Sequence, residues 1–62
     1  MNIPFNVYVS KAFDYLSADV HYSVTTEGKK ELLFRNSKTG GATVLYKHEV
    51  ERAIDRGWLV KE

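Results

Sequence analysis

Apolar and polar side chains alternate along the middle of the chain, and this is the period of a half-buried β-strand. Tyr22 and Val24, for example, are separated and followed by hydroxyl residues, and Phe34 lies two positions after Leu32. The pattern predicts three strands, at about 19–26, 31–36 and 42–46. Short connections containing glycine separate them, so we expect one three-stranded antiparallel sheet.

Two other stretches have the spacing of a helix. Behind Ser10, which can cap a helix, apolar residues recur at the i, i+3, i+4 and i+7 positions, and this predicts a short helix over about 10–18. A second apolar stripe predicts a C-terminal helix over about 47–56. The flanking stretches at 5–9 and 58–61 can add edge strands. The fold class expected is therefore α+β, with the sheet packed on the C-terminal helix.

Loop lengths decide which side chains share a face of the sheet, because a slip of one residue turns every side chain of a strand over. A three-residue loop at 27–29 pairs Tyr22 with Phe34. A five-residue loop at 37–41 pairs Phe34 with Val44. The face expected against the C-terminal helix then consists of Val20, Tyr22, Val24, Leu32, Phe34, Val44 and Tyr46.

The opposite face is the candidate functional surface. In this register Leu33 lies opposite Leu45, with polar side chains around the pair. Two outcomes are open: the N-terminal helix covers the two leucines, or they stay exposed as the centre of a contact site. The candidate interaction residues are Leu33, Leu45, His21, Ser23, Arg35 and Thr43, with Lys29, Lys30 and Lys38 near the hairpin tips as electrostatic guides.

Composition limits the class of protein. The 62 residues 1–62 form one compact domain at most, and no cysteine is available for a disulfide or a thiolate zinc site. Nine basic and eight acidic residues give a net charge of +1, which is more balanced than in most nucleic-acid-binding domains. The sequence has no transmembrane-length apolar run, and its first residues do not resemble a signal peptide. We therefore expect a cytoplasmic protein.

The sequence contains only weak signals for a catalytic site or a phosphate-binding loop. Ser23, His21 and Asp19 alternate on one predicted strand, but no motif for a strained nucleophile turn or an oxyanion hole accompanies them. The stretch RNSKTGG, residues 35–41, contains a lysine, two hydroxyls and two glycines, yet a strand follows it where a phosphate-binding loop needs a helix. We expect a turn there, and no enzyme activity, cofactor or metal.

These patterns predict a small non-enzymatic interaction module, a regulator or inhibitor of bacterial or phage type that binds another protein or itself through the sheet face. The alternative is a nucleic-acid-binding domain that uses the sheet face and the hairpin lysines. By element order alone the chain resembles the small AP2-like and integrase N-terminal DNA-binding domains. That resemblance implies a sheet face laid into a DNA groove, although no residue motif supports it.

Overall fold

The fold is known from a computed structural model, which describes residues 3–62. These residues form a five-stranded antiparallel sheet and one helix, so the α+β class is confirmed. The elements in chain order are β1 (Phe5–Val9), β2 (His21–Thr26), β3 (Glu31–Asn36), β4 (Ala42–Tyr46), α1 (Lys47–Asp55) and β5 (Leu59–Lys61). The strand order is β4-β3-β2-β1-β5. Both flanking stretches join the sheet, and β1 lies inside it between β2 and β5.

The predicted N-terminal helix at 10–18 is wrong, because this stretch is the connection between β1 and β2. Val9 N donates to Val20 O (3.0 Å) and Asp19 N donates to Val9 O (2.8 Å), which closes the two strands as a hairpin at the base of the connection. Asp14 and Asp19 have φ angles of 50° and 62°, in the left-handed region that a right-handed helix excludes. Aspartate tolerates this region better than most residues do, and its helix propensity is low.

The helical spacing in this connection has another origin. Phe13 O accepts a hydrogen bond from Leu16 N (2.9 Å), which makes a tight turn between them. The turn directs Leu16 into the core, where its side chain is only 3% exposed, and places the Phe13 ring 5.4 Å from that of Trp58. The turn therefore buries Leu16 and half-buries Phe13 without a helix, whereas Ala12, which has the same helical spacing, stays exposed.

The register of β2 and β3 differs from the predicted one by two positions. Val24 pairs with Phe34, and the connecting turn is 28–30 where we expected 27–29. An even shift leaves every side chain on its predicted face. Tyr22 and Phe34 accordingly both face α1, with their ring centroids 6.2 Å apart.

The register of β3 and β4 overturns the predicted face of β4. Leu32 pairs with Leu45, and Phe34 pairs with Thr43, where we expected Phe34 to pair with Val44. Leu45 and Thr43 therefore lie on the α1 side, and their assignment to the opposite face was wrong. Val44 lies on that opposite face, opposite Leu33.

The cause of this change is the turn that joins β3 to β4. Asn36 Oδ1 accepts hydrogen bonds from Lys38 N (2.7 Å) and Thr39 N (3.1 Å), which fixes the start of the turn directly after Asn36. Gly40 has φ 79° and its N–H donates to Asn36 O (2.8 Å), which ends the turn before Gly41. The loop has four residues, 37–40, and its even length reverses the side-chain parity.

Helix α1 covers one face of the sheet and agrees with the predicted 47–56 to within one residue. Its buried residues are Val50 and Ala53, and Gly57, with φ 78°, directly follows the C-cap residue Arg56. The core consists of apolar residues and one tyrosine; they are Phe5, Val7, Val9, Leu16, Tyr22, Val24, Leu32, Phe34, Leu45, Val50, Ala53 and Leu59. In the described residues no charged side chain is buried.

Candidate interaction surface

The face of the sheet that points away from α1 is here called the open face. The connection between β1 and β2 does not cover it, because Leu16 and Phe13 pack on the α1 side, in the core and against Trp58. Three large apolar residues on the open face, Val44, Tyr46 and Val60, keep 44%, 53% and 49% of their surface exposed. The connection therefore leaves the open face uncovered, but neither expected outcome holds for the pair of leucines: Leu45 is 4% exposed on the α1 side, and Leu33 is half-buried on the open face.

The apolar row of the open face consists of the aliphatic residues Val44 and Leu33 and ends at the hydroxyl residue Thr25, so that it crosses three adjacent strands. Val44 lies directly opposite Leu33, which in turn lies opposite Thr25. Tyr46 lies two positions along β4 from Val44, on the same face, and opposite Glu31. Directly opposite residues in a sheet have Cβ atoms about 5 Å apart. The three side chains of the apolar row therefore form one continuous patch.

The margin of this patch is polar. Arg35 lies between Ala42 on β4 and Ser23 on β2. Its Nη1 donates to Gly40 O (2.8 Å), which holds the guanidinium beside the β3–β4 turn. Glu31 lies on the opposite side of the apolar row from Arg35. An exposed apolar centre with charged side chains of both signs around it is the composition of many protein contact sites.

A separate polar cluster occupies the corner of the open face next to β5. The Tyr8 and His21 rings lie 5.2 Å apart, and His21 Nδ1 is 2.7 Å from Glu62 Oε1. The Tyr8 hydroxyl donates a hydrogen bond to Asp19 Oδ1. That hydrogen bond raises the pKa of Tyr8 above its ordinary value, and burial and the negative charge of Asp19 act in the same direction.

This cluster does not assemble the Ser23, His21 and Asp19 arrangement that the sequence permits. His21 pairs with Glu62 through the nitrogen that would face an orienting carboxylate, and Asp19 is engaged by Tyr8. Ser23 lies in the interior of β2, opposite Arg35 and Asn6, away from any strained turn.

The structure brings four of the nine candidate interaction residues together on the open face. They are Leu33, His21, Ser23 and Arg35. Lys29 and Lys30 lie at the β2–β3 turn, and Lys38 lies at the β3–β4 turn at the other end of β3. The three lysines therefore do not converge on one site.

Sequence reasoning missed Val44 and Tyr46 as surface residues. One signal in the sequence could have found them. Asparagine at 36 followed by glycine at 40 fits a four-residue turn that starts with a side-chain-to-backbone hydrogen bond. That reading gives the correct parity of β4.

Two shallow cavities lie away from the open face. One of about 340 Å³ is lined mainly by hydroxyl and amide side chains, among them Tyr15, Ser17 and Thr43. The other, of about 180 Å³, lies between α1 and the β1–β2 connection beside Trp58. Lys11 and Arg56 both lie over the Trp58 ring, at 5.3 and 5.2 Å from its centroid, so these cations are already paired with an aromatic face.

The chain matches no protein-family model, and neither a curated protein nor a solved structure is significantly similar to it. Within residues 3–62, no three histidine, aspartate or glutamate side chains are grouped so that they could hold a metal ion. No helix in this part of the chain is long and apolar enough to span a bilayer.

Proposed function

We propose that the protein is a small non-enzymatic interaction module that binds another protein through the open face of its sheet. The observation that supports this is the exposure of Val44 and Tyr46 on the open face, beside the half-buried Leu33 of the apolar row. A binder of this size regulates or inhibits its partner by occupying a surface that the partner needs. The proposal keeps Leu33 and Arg35 from the sequence-based set, and replaces Leu45 and Thr43 by Val44 and Tyr46.

The size of the open face is compatible with such a role. A protein interface of standard size takes about 800 Å² from each partner, which is roughly a fifth of the 4102 Å² that the chain exposes. The apolar row alone is smaller than this, so the polar margin must take part in binding. Tyr46 has the properties of an interface anchor, because tyrosine buries a large ring with little loss of conformational freedom and keeps a hydroxyl for the rim.

Nucleic-acid binding is the second candidate. One observation favours it: Tyr46 and Arg35 lie on the same face. The Tyr46 ring is stacked on His48 (centroids 5.7 Å apart), so one face of this ring and a guanidinium are available to stack on bases. Glu31 lies directly opposite Tyr46, however, and Glu62 adjoins the same face through His21. Carboxylates at these places repel a phosphate backbone, which makes this candidate the weaker one.

The test compares two substitutions of the same residue type on the open face. Val44 in the apolar row and Val60 on β5 are nearly equally exposed, at 44% and 49%. Immobilised wild-type protein, Val44→Lys and Val60→Lys are incubated with extract of the source cells, with and without nuclease, and captured proteins are identified by mass spectrometry. We expect a partner that survives nuclease and moderate salt, is retained by Val60→Lys, and is lost with Val44→Lys.

Circular dichroism and urea unfolding of each variant serve as the control for an intact fold. Equal recovery of the partner by both variants would show that the apolar row is not the binding surface. Capture that disappears with nuclease, and falls steeply with salt, would favour the nucleic-acid candidate.

A further inference from the structure

The two edges of the sheet differ in how well they are protected against pairing with another strand. The β5 edge has three residues, Leu59–Lys61, and includes a lysine with Glu62 directly after it. The β4 edge has five residues, Ala42–Tyr46, without a charged residue or a proline. Natural sheets protect their edges with short strands, charges or prolines, because an unprotected edge is a template for another strand. By these criteria β5 is protected and β4 is not.

The hydrogen bonds between β3 and β4 show which backbone groups of β4 are directed outward. Asn36 N donates to Gly41 O (2.7 Å), which makes these two residues a hydrogen-bonded pair of the antiparallel ladder. Such pairs recur at every second position. Thr43 and Leu45 are therefore the residues of β4 whose N–H and C=O groups point toward β3.

The N–H and C=O groups of Ala42, Val44 and Tyr46 consequently point away from the sheet, at its free edge. A strand that pairs here in antiparallel direction meets these three positions. If the strand is β4 of a second copy and Val44 meets Val44, then Ala42 meets Tyr46 and Tyr46 meets Ala42. All three outward-directed residues of both copies then take part in backbone hydrogen bonds, which no other self-pairing register achieves.

We propose that the free edge of β4 pairs with β4 of a second copy of this chain, antiparallel and centred on Val44, to give a continuous ten-stranded sheet. The proposal goes beyond the function proposed above and does not depend on it, because it concerns the backbone edge of β4 and a different occupant.

The side chains of β4 are complementary to a second copy in this register. Directly opposite residues of an antiparallel pair share a face, so Val44 packs on Val44 of the second copy, with Leu33 on either side. The large Tyr46 meets the small Ala42 of the second copy. Arg35 lies opposite Ala42 within its own chain, so its guanidinium lies within reach of the Tyr46 ring of the second copy across that alanine.

The ends of β4 also leave room for the second copy. Helix α1 begins at Lys47, directly after Tyr46, and in the antiparallel arrangement this end adjoins the residues before Ala42 of the second copy. Those residues are Gly40 and Gly41, which have no side chains to meet the start of α1. The two helices thus begin at diagonally opposite corners of the contact.

The contact is smaller than a standard interface, so we expect a reversible dimer with a Kd on the order of 10–100 µM. Sedimentation equilibrium between about 1 µM and 1 mM measures it, and the apparent mass should rise from 7.1 kDa toward twice that value. In NMR spectra of labelled protein, the amide signals of Ala42, Val44 and Tyr46 should shift with concentration.

The decisive variants alter one backbone atom each, and a chain of 62 residues is short enough for chemical synthesis. N-methylation of Val44 removes an outward donor of β4 and leaves every side chain in place. N-methylation of Lys61 is the matched control on β5: Glu62 N donates to Asn6 O (2.8 Å), so the alternation directs the Lys61 N–H outward. We expect N-methyl-Val44 to weaken dimerisation about 10-fold or more, and N-methyl-Lys61 to leave it unchanged.

Each outcome decides the proposal. A wild-type protein that stays monomeric at 1 mM, or equal dimerisation of the two N-methylated proteins, overturns self-pairing. Circular dichroism of both proteins establishes that the fold is kept. The partner capture described above is measured on N-methyl-Val44 as well. A wild-type protein that is monomeric and still captures its partner refutes self-pairing alone, whereas a wild-type dimer that captures no partner refutes the proposed function alone.

Discussion

The strongest test of the open face concerns two adjacent residues of β4. Leu45 is 4% exposed and lies on the α1 side, whereas Val44 is 44% exposed on the open face. Leu45→Ala removes three buried carbon groups at about 0.8 kcal/mol each, plus a cavity contribution, so the free energy of unfolding should fall by about 2–4 kcal/mol. Val44→Ala removes two groups that are about half buried, together with some strand propensity, and should cost about 1 kcal/mol.

Urea unfolding followed by circular dichroism measures both changes. A protein of 62 residues is expected to have a total stability of roughly 3–9 kcal/mol. With a urea dependence near 1 kcal/mol/M for so small a chain, the midpoint should fall by about 2 M or more for Leu45→Ala and by about 1 M for Val44→Ala. If Val44→Ala proves the more damaging of the two, then β4 has the opposite face inward, and both proposals lose their basis.

Three other predictions test the turns and the polar corner. Leu16→Ala should lower the free energy of unfolding by about 2–4 kcal/mol because Leu16 anchors the β1–β2 connection in the core, whereas Tyr15→Ala, at an 85% exposed position, should change it by less than about 0.5 kcal/mol in the same urea assay. Asn36→Ala should cost about 1–2 kcal/mol, since two backbone N–H groups lose their acceptor; a change near zero would mean that the asparagine does not hold the turn. The raised pKa of Tyr8 means that the folded state keeps this proton longer than the unfolded state, so stability should decline as pH rises above about 10 through the folded pKa, and ultraviolet titration of Asp19→Asn should show the Tyr8 pKa closer to its ordinary value.

Several elements of the fold could be predicted from the sequence, because they depend on strong and local patterns. The amphipathic stripe around Val50 and Ala53 identified α1, and the alternation around Val24 identified β2 with its correct faces. The β2–β3 loop was placed one residue away from its true position, yet Tyr22 and Phe34 still face α1. Parity tolerates such an error when the loop length stays odd.

Two elements could not be predicted because the sequence pattern fits more than one structure. The spacing of Phe13 and Leu16 is shared by a helix and by a tight turn, and the positive φ angle of Asp14 that separates the two is not visible in a hydrophobic pattern. The length of the β3–β4 loop depends on whether Gly41 belongs to the loop or pairs with Asn36 in the sheet. That single hydrogen-bonding choice determined whether Leu45 or Val44 faces outward, and with it the composition of the site.

The position of β1 has a consequence for how the chain acquires its structure. β1 lies between β2 and β5, and Val9 pairs with Leu59, fifty positions further along. While a ribosome is still synthesising the stretch before Leu59, one side of β1 has no strand to pair with, and its apolar residues lack part of their cover. Contacts of such long sequence separation slow folding, because the loop must close before the contact can form. The sheet is therefore completed late, when 59–61 emerge and β1 obtains its second neighbour.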